Sequence, residues 1–296
     1  METGPRLTAL EQYLARDQSE RIAPYGRSIV LNHGIRTPWS AVLLHGLSAS
    51  PKQFDAIANL LFERGYNVFT PRLPRHGYED RSSASLSQMR AEHLRAAASD
   101  ALAAGRELGE KVLVVGFSLG GLLAVHLVQS ERVDRAVAIA PFLGFALFPN
   151  RWRRIFMRLA LRAPNYFGWW DPLRRDKTYP EHGYPRWSSH ALAHAMTIAD
   201  ELFNAAKNEA PKSKRITLIA NAREAAVNNR AIDLLAQTWR AHSGVTVDVR
   251  RLTSLPYSHD IIETLRRDGI ARRALPELLD IIVPEASESD RRNGAQ

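Results

Sequence analysis

One short segment decides the fold of this 296-residue chain: residues 111–121 read KVLVVGFSLGG. A run of valine and leucine ends at Gly116, and an apolar helical pattern begins directly after Ser118. This order of strand, sharp turn and helix is the context in which a Gly-x-Ser-x-Gly motif presents a nucleophilic serine. The glycines let strand and helix approach closely, and the helix N-terminus favours developing negative charge. The segment therefore predicts Ser118 as a nucleophile, with a purely structural turn as the alternative.

Short apolar runs alternate with longer amphipathic segments on both sides of this motif. Strands that alternate with helices favour right-handed crossovers and a largely parallel sheet, whose ligand site lies at the carboxyl ends of the strands. The sequence thus predicts an α/β fold. The predicted strands are Ser28–Asn32, Ala41–Leu44, Asn67–Thr70, Lys111–Val115, Arg135–Ala140, Arg215–Ala220 and Val245–Leu252. The predicted helices are Lys52–Arg64, Ser87–Leu108, Leu119–Gln129, Asn228–His242 and Asp260–Arg267.

The alternation stops once, between Phe145 and Lys214, where the sequence shows no clean strand. This stretch holds four of the six tryptophans and a net charge of +6, out of +9 for the whole chain. Trp152–Arg162 and Ser188–Lys207 have helical patterns. We therefore predict that residues 145–214 are a helical lid over the strand ends, inserted between two parts of the core, residues 1–144 and 215–283.

The composition excludes several classes of protein. Without cysteine, the chain has neither a disulfide framework nor thiolate chemistry. No apolar run approaches the ~18 residues of a membrane span, and the N-terminus lacks the pattern of a secretory signal, so a cytoplasmic protein is expected. Only six of the 40 basic residues are lysine, and the arginines are spread along the chain. This pattern favours a general bias in amino-acid composition over a basic surface that binds nucleic acid. Residues 284–296 are polar and are predicted to be a disordered tail.

A serine hydroxyl needs a general base, and the chain offers ten histidines. His259 follows the last predicted strand by a short loop, so it lies at the carboxyl end of the sheet and is predicted to reach Ser118. His45 and His76 are interpreted as loop and turn residues. The other histidines fall on helix surfaces, in turns or in the predicted lid.

An acid must orient the imidazole, and in this topology it lies between the nucleophile and the histidine along the chain. Glu224 is the only acid in the loop that follows predicted strand 215–220. Asp233 lies inside a predicted helix and Asp248 inside a predicted strand, whereas Asp134 precedes its strand at the opposite end of the sheet. We therefore predict Glu224 as the acid, with a solvated surface glutamate as the alternative.

Two backbone N–H groups must stabilise the oxyanion of a tetrahedral intermediate. The residue after the nucleophile, Leu119, is predicted to supply one. The loop after predicted strand 41–44 is predicted to supply the other through Leu47. Their side chains have no part in this function.

On these residues the chain resembles the α/β-hydrolases, from about residue 28 to residue 283. Besides the Gly-x-Ser-x-Gly turn, Leu44–Leu47 (LHGL) resembles the oxyanion loop of that family, and Pro71–Tyr78 resembles its Pro-x-x-x-x-His-Gly loop. The chain is most similar to bacterial carboxylesterases and monoacylglycerol-lipase-like esterases, which implies a lid inserted after the sixth strand. It departs from that group in having glutamate at position 224, where aspartate is usual.

The resemblance and the motifs together predict a serine hydrolase that cleaves small carboxylic esters with an apolar acyl group through an acyl-enzyme on Ser118. The same residues would also suit a thioesterase, lactonase, amidase or C–C bond hydrolase, and a ligand-binding protein without turnover is a further alternative. No metal-ligand spacing and no phosphate-binding motif is found, so no cofactor or metal is expected. The basic segment Trp152–Leu161 is interpreted as a cover for the acyl pocket, with contact to a lipid surface as the less favoured alternative.

Overall fold

The fold is described from a computed structural model, which covers residues 7–146, 153–173, 175, 180–224, 226–266 and 268–283. Its main feature is a seven-stranded sheet with the strand order β1-β3-β2-β4-β5-β8-β9. Only β1 runs antiparallel to its neighbour; the other neighbouring pairs are parallel. The strands of this sheet are β1 (Ile29–Leu31), β2 (Thr37–Leu44), β3 (Asn67–Thr70), β4 (Gly109–Phe117), β5 (Arg135–Ile139), β8 (Arg215–Asn221) and β9 (Thr246–Leu252).

Helices lie between the successive parallel strands, as the crossover argument requires, and two further helices stand before β1 and after β9. They are α1 (Ala9–Gln18), α2 (Asp55–Glu63), α3 (Ala91–Leu108), α4 (Leu119–Ser130), α5 (Arg153–Arg162), α6 (Ser189–Asn208), α7 (Asn229–Arg240) and α8 (Ile270–Ile282). The middle strands are buried on both faces, because parallel strands are covered by helices on each side. Ala41–Leu44 and Val112–Phe117 therefore lie in the core.

All seven predicted strands are present in this sheet, which confirms the predicted α/β class. One predicted helix, Asp260–Arg267, is wrong: residues 260–266 form turns, and α8 begins only at Ile270. The reason is local, since the backbone N–H groups here bond to side chains: the Asp260 carboxylate accepts from Ile262 and Glu263, and the Glu263 carboxylate accepts from Leu265.

Sequence reasoning also missed two helices. α1 starts with a capping box, in which Thr8 and Glu11 exchange side-chain to backbone hydrogen bonds, and this Thr-x-x-Glu pattern is a readable signal. α8 contains Pro276, a residue that disfavours helix interiors and so hides the helix from a propensity argument.

The segment predicted as a lid follows β5, which is the fifth strand of the sheet along the chain and not a sixth. Between residues 7 and 28 the described chain forms α1 and a short 3-10 helix, so only β1 precedes β2. The expectation that the insertion lacks strands is wrong, because β6 (Phe167–Trp169) and β7 (Arg186–Ser188) form a two-stranded antiparallel pair. α6 packs against α3 and α4. The domain limits at 145 and 214 stay predictions, and the predicted tail lies outside the described residues.

Helix α5 does not bury its whole apolar face. Ile155 and Leu159 are 49% and 62% exposed, although Met157 is buried. The helix is joined to α6 by an ion pair between Arg154 Nε and Asp200 Oδ2, 2.9 Å apart. The interpretation of this segment as a cover did not anticipate the exposed apolar side chains. Trp152 lies outside the described residues.

Candidate active site

Ser118 occupies the sharp turn between β4 and α4. Its φ of 53° and ψ of −110° are unfavourable for a residue with a side chain. The Ser118 N–H donates to the Ile139 carbonyl at 3.0 Å, and the Ser118 carbonyl accepts from the N–H groups of Leu122 (2.9 Å) and Phe142 (3.0 Å). Backbone strain of this kind persists only where surrounding contacts over-determine it, and it is concentrated at functional sites.

The two glycines that flank the serine are required by close backbone approach. A Cβ atom on Gly116 would overlap the carbonyl of Gly120, and a Cβ atom on Gly120 would overlap the carbonyl of Leu44 at the end of β2. The turn can therefore pack against the sheet only with glycine at both positions. This steric requirement explains the two glycines of the Gly-x-Ser-x-Gly motif.

The structure brings the three residues predicted as nucleophile, base and acid into one hydrogen-bonded chain. Ser118 Oγ lies 2.8 Å from His259 Nε2, and His259 Nδ1 lies 2.9 Å from Glu224 Oε2. Because an ionised carboxylate can only accept, Nδ1 carries the ring proton and Nε2 accepts from the serine hydroxyl. The Glu224 side chain is fully buried, whereas that of His259 is 23% exposed. The hydroxyl is thus oriented to give up its proton toward the histidine.

All three side chains come from the carboxyl ends of parallel strands: Ser118 follows β4, Glu224 follows β8 and His259 follows β9. The acid loop and the histidine loop are joined by Asn221, a buried residue that sequence reasoning missed. Its Nδ2 donates to the carbonyls of both Pro256 and Ser258 at 2.9 Å. The readable signal is a polar residue that directly follows the apolar run Leu218–Ala220 at the end of the strand.

Glu224 is itself held in place by backbone donors. Its Oε1 accepts from the Ala226 N–H at 2.7 Å, while its own N–H donates to the Asn221 carbonyl at 3.1 Å. One carboxylate oxygen thus has a backbone partner, and the other faces the histidine.

The other acids considered from sequence lie elsewhere. Asp248 pairs with Arg250 at 2.6 Å and Asp233 pairs with Arg251, and all four side chains are exposed. Asp134 Oδ2 accepts from a backbone N–H near the start of β4, at the opposite end of that strand from Ser118. None of these carboxylates contacts His259.

The two residues predicted to supply the oxyanion donors are both buried. Leu119 is the first residue of α4, so its N–H has no acceptor within the helix. Leu47 lies in the loop after β2, and within the described ranges its N–H donates to no other residue. Both N–H groups are thus available to an incoming oxygen atom.

The sequence interpretation places His45 and His76 in a loop and a turn. In the structure the rings of both residues also accept backbone hydrogen bonds. His45 Nε2 accepts from the Leu73 N–H, and His76 Nε2 accepts from the Ser48 N–H, each at 3.1 Å. Burial lowers the pKa of His76 to about 4, and burial together with the neighbouring His76 lowers the pKa of His45 well below its ordinary value. Both rings are therefore neutral acceptors that tie the Leu47 loop to the loop after β3.

Part of the segment between β5 and β8 packs directly on the Leu47 loop. The Tyr184 N–H donates to the Ser48 carbonyl at 2.6 Å, and the Ser48 hydroxyl donates to the Arg186 carbonyl at 3.2 Å. The Ser50 hydroxyl lies 3.0 Å from His182 Nδ1. The residues around β7 thus help to shape the loop that holds one predicted oxyanion donor.

Over the part of the chain that the structure describes, no three histidine, aspartate or glutamate side chains cluster closely enough to hold a metal ion. None of the described helices is long and apolar enough to cross a lipid bilayer.

The arrangement of a parallel sheet, a strained serine turn and a serine–histidine–carboxylate chain is that of the α/β-hydrolase fold. Residues 41–281 match the model of the alpha/beta hydrolase family, and the chain belongs to this family. This match confirms the resemblance drawn from the sequence motifs, and membership supports a hydrolase. No curated protein sequence matches the chain.

Several solved structures share the fold. One, reported for the metagenome-derived lipolytic enzymes LipS and LipT, is 21% identical with a TM-score of 0.64 and covers 89% of this chain and 100% of its own. A soluble variant of Saccharomyces cerevisiae monoglyceride lipase, bound to a substrate analog, is 13% identical with a TM-score of 0.63, covering 88% and 92%. Paleococcus ferrophilus monoacylglycerol lipase is 19% identical with a TM-score of 0.60, covering 86% and 98%.

Proposed function

We propose that the chain is a serine hydrolase that cleaves carboxylic esters through an acyl-enzyme on Ser118. The observation that carries the proposal is the hydrogen-bonded chain from Ser118 Oγ through the His259 ring to the buried Glu224 carboxylate. A serine becomes an effective nucleophile when an adjacent base takes its proton and a third group orients that base.

In the first half of the reaction, Ser118 Oγ attacks the ester carbonyl carbon as its proton passes to His259 Nε2. The carbonyl oxygen becomes an oxyanion, which accepts hydrogen bonds from the Leu47 and Leu119 N–H groups. Glu224 stabilises the imidazolium through Nδ1. When the tetrahedral intermediate collapses, the bond to the alkoxy oxygen breaks and His259 donates its proton to the leaving alcohol.

In the second half, water replaces the alcohol. His259 takes a proton from this water as its oxygen attacks the acyl-enzyme. The bond between Ser118 Oγ and the acyl carbon then breaks as His259 returns the proton to Ser118 Oγ. The products are a carboxylic acid and the free serine. Every proton that leaves an oxygen in this cycle passes through the same ring nitrogen, so no cofactor is needed.

The proposed substrate is a small ester with an apolar acyl group. Aromatic side chains flank the turn: the Phe117 and His259 rings are 5.0 Å apart, and Phe142 packs edge-to-face on Phe145 at 5.2 Å. Two of the structural neighbours are a monoglyceride and a monoacylglycerol lipase, which makes lipid-derived esters a rational first series. Rates across p-nitrophenyl esters of increasing chain length, alongside matched thioesters and lactones, separate this substrate class from the alternatives that use the same residues.

The decisive experiment is the Ser118→Ala substitution. It should abolish both the hydrolysis of short p-nitrophenyl esters and covalent labelling by a fluorophosphonate, because both reactions require the same oxygen atom. Ser19→Ala, at an exposed site after α1, is the matched control and should behave as the wild type. Turnover retained by Ser118→Ala contradicts the proposal, and a folded wild-type protein without labelling favours a binding protein instead.

A further inference from the structure

The amide of Gln53 joins two loops that flank the predicted nucleophile. One loop follows β2 and contains Leu47; the other follows β9 and contains His259. Gln53 Oε1 accepts from the Gly46 N–H at 2.8 Å, and Gln53 Nε2 donates to Asp260 Oδ2 at 3.1 Å. The bridge therefore connects the residue before one predicted oxyanion donor with the residue after the predicted base.

The polarity of this bridge is fixed by the backbone at Gly46. A backbone N–H at Gly46 can only donate, so it fixes the Gln53 amide with its oxygen toward Gly46 and its NH2 group toward Asp260 Oδ2. Burial raises the pKa of Asp260, but an NH2 group can only donate, so Oδ2 is the acceptor in this contact. Gln53 is only 4% exposed, so water does not readily replace it. The other oxygen of Asp260 is already used, because it accepts from the N–H groups of Ile262 and Glu263.

We propose that Gln53 is a positioning residue that fixes the separation between the Leu47 N–H and the His259 ring. The inference rests on the proposed function, in which these two groups act on the same tetrahedral intermediate. A misplacement of about 1 Å in such a site costs about 100-fold in rate. Because Gln53 itself contacts loops and not the ester, its loss is expected to lower kcat while KM changes little.

A second set of contacts joins the same two loops and makes the role of Gln53 separable from folding. The Ser50 hydroxyl lies 3.0 Å from His182 Nδ1, and His182 Nε2 lies 2.7 Å from Glu263 Oε2, with all three residues buried. The contact between His182 and Glu263 is close, although its angles do not suit a hydrogen bond. These residues keep the loops docked when the Gln53 bridge is altered, so a change at Gln53 shifts the loops without releasing them.

Reversing the polarity of the bridge tests the proposal. Gln53→Glu sets a carboxylate against the Asp260 carboxylate. Asp260→Asn sets one NH2 group against another, since the remaining amide oxygen must still accept from the Ile262 and Glu263 N–H groups. The double variant Gln53→Glu/Asp260→Asn restores an acceptor opposite a donor at every position of the bridge.

We expect each single substitution to lower kcat for p-nitrophenyl butyrate by about 10- to 100-fold, with KM within about threefold of the wild type. The double variant should return to within about fivefold of wild-type kcat, a coupling that independent sites do not show. Gln88→Glu makes the same chemical change at an exposed site and is the matched control, with unchanged kcat expected.

The proposal is overturned if both single variants keep wild-type kcat. It is also overturned if the fold-reduction in kcat of the double variant equals the product of the fold-reductions of the two single variants. If Gln53→Glu does not fold, the kcat of the double variant is compared with that of Asp260→Asn. A higher kcat in the double variant supports the proposal, and an equal or lower kcat overturns it. Turnover retained by Ser118→Ala overturns the proposed function and this inference with it. An inactive Ser118→Ala beside fully active single variants overturns only the role of Gln53.

Discussion

The contacts of Glu224 make Glu224→Gln a sharp test of the proposed triad. One carboxylate oxygen accepts from the Ala226 N–H at 2.7 Å and the other faces His259 Nδ1 at 2.9 Å. A glutamine must keep its carbonyl oxygen on the backbone donor, which turns its NH2 group toward Nδ1. Nδ1 must then accept, so the ring proton moves to Nε2 and faces Ser118 Oγ. In that tautomer the histidine cannot take the serine proton.

The expected loss is large because nothing replaces the carboxylate. An acid-to-amide change at the equivalent place in a serine protease lowers kcat about 10⁴-fold by the same tautomer effect. This corresponds to about 5 kcal/mol of transition-state stabilisation. The Glu224 side chain is fully buried, so water cannot take its place beside the ring. We expect kcat for p-nitrophenyl butyrate to fall about 10³- to 10⁴-fold, with KM within about threefold, since the carboxylate does not contact substrate.

Asp248→Asn is the matched control, because it removes a carboxylate that is exposed and paired with Arg250. It should leave kcat within about twofold of the wild type, as exposed pairs contribute little. Urea unfolding of both variants checks that they are folded. The reasoning is refuted if Glu224→Gln keeps more than a tenth of wild-type kcat, and the acid is misassigned if Asp248→Asn loses more than Glu224→Gln does.

Three further predictions concern stability. Burial lowers the pKa of His76 to about 4 from about 6.5, so the unfolded chain binds the proton first as the pH falls. Stability should therefore decrease between about pH 6.5 and pH 4, by up to about 3 kcal/mol from this group, in urea titrations at several pH values. Gly120→Ala should give little folded protein, because its Cβ overlaps the Leu44 carbonyl; thermal melts and soluble yield measure this. Asp17→Asn, which breaks a buried 2.7 Å ion pair with Arg72, should lower the free energy of unfolding by about 3 kcal/mol in urea.

Each of these has a clear contrary result. A free energy of unfolding that does not change between pH 6.5 and pH 4 contradicts a neutral, buried His76. A well-folded Gly120→Ala protein with normal activity contradicts the close contact between α4 and β2. Asp17→Asn with wild-type stability contradicts the prediction that the buried Arg72 guanidinium needs the Asp17 carboxylate.

Much of the sheet was predictable because its signals are local. The buried strands are short runs of valine, leucine and isoleucine, and a parallel strand covered on both faces needs no more than that. The helix predicted at Asp260–Arg267 shows where local reasoning fails. Its apolar pattern is real, but Ile261 and Ile262 are buried from a turn that is wound around the Asp260 carboxylate. The Glu263 side chain also accepts from the Leu265 N–H, so side-chain acceptors took the place of helical carbonyls here.

The sequence by itself determined the strand order along the chain, the serine turn, and which histidine and acid stand at strand ends. These follow from glycine sterics, apolar periodicity and the rule that parallel strands end at one edge of a sheet. The tertiary structure decided which polar groups form hydrogen bonds between loops. Asn221, His76 and Gln53 each join loops that lie far apart along the chain. Such contacts produce no periodic pattern in the sequence. A buried polar group needs a hydrogen-bond partner, and here that partner lies far away along the chain and not among its sequence neighbours.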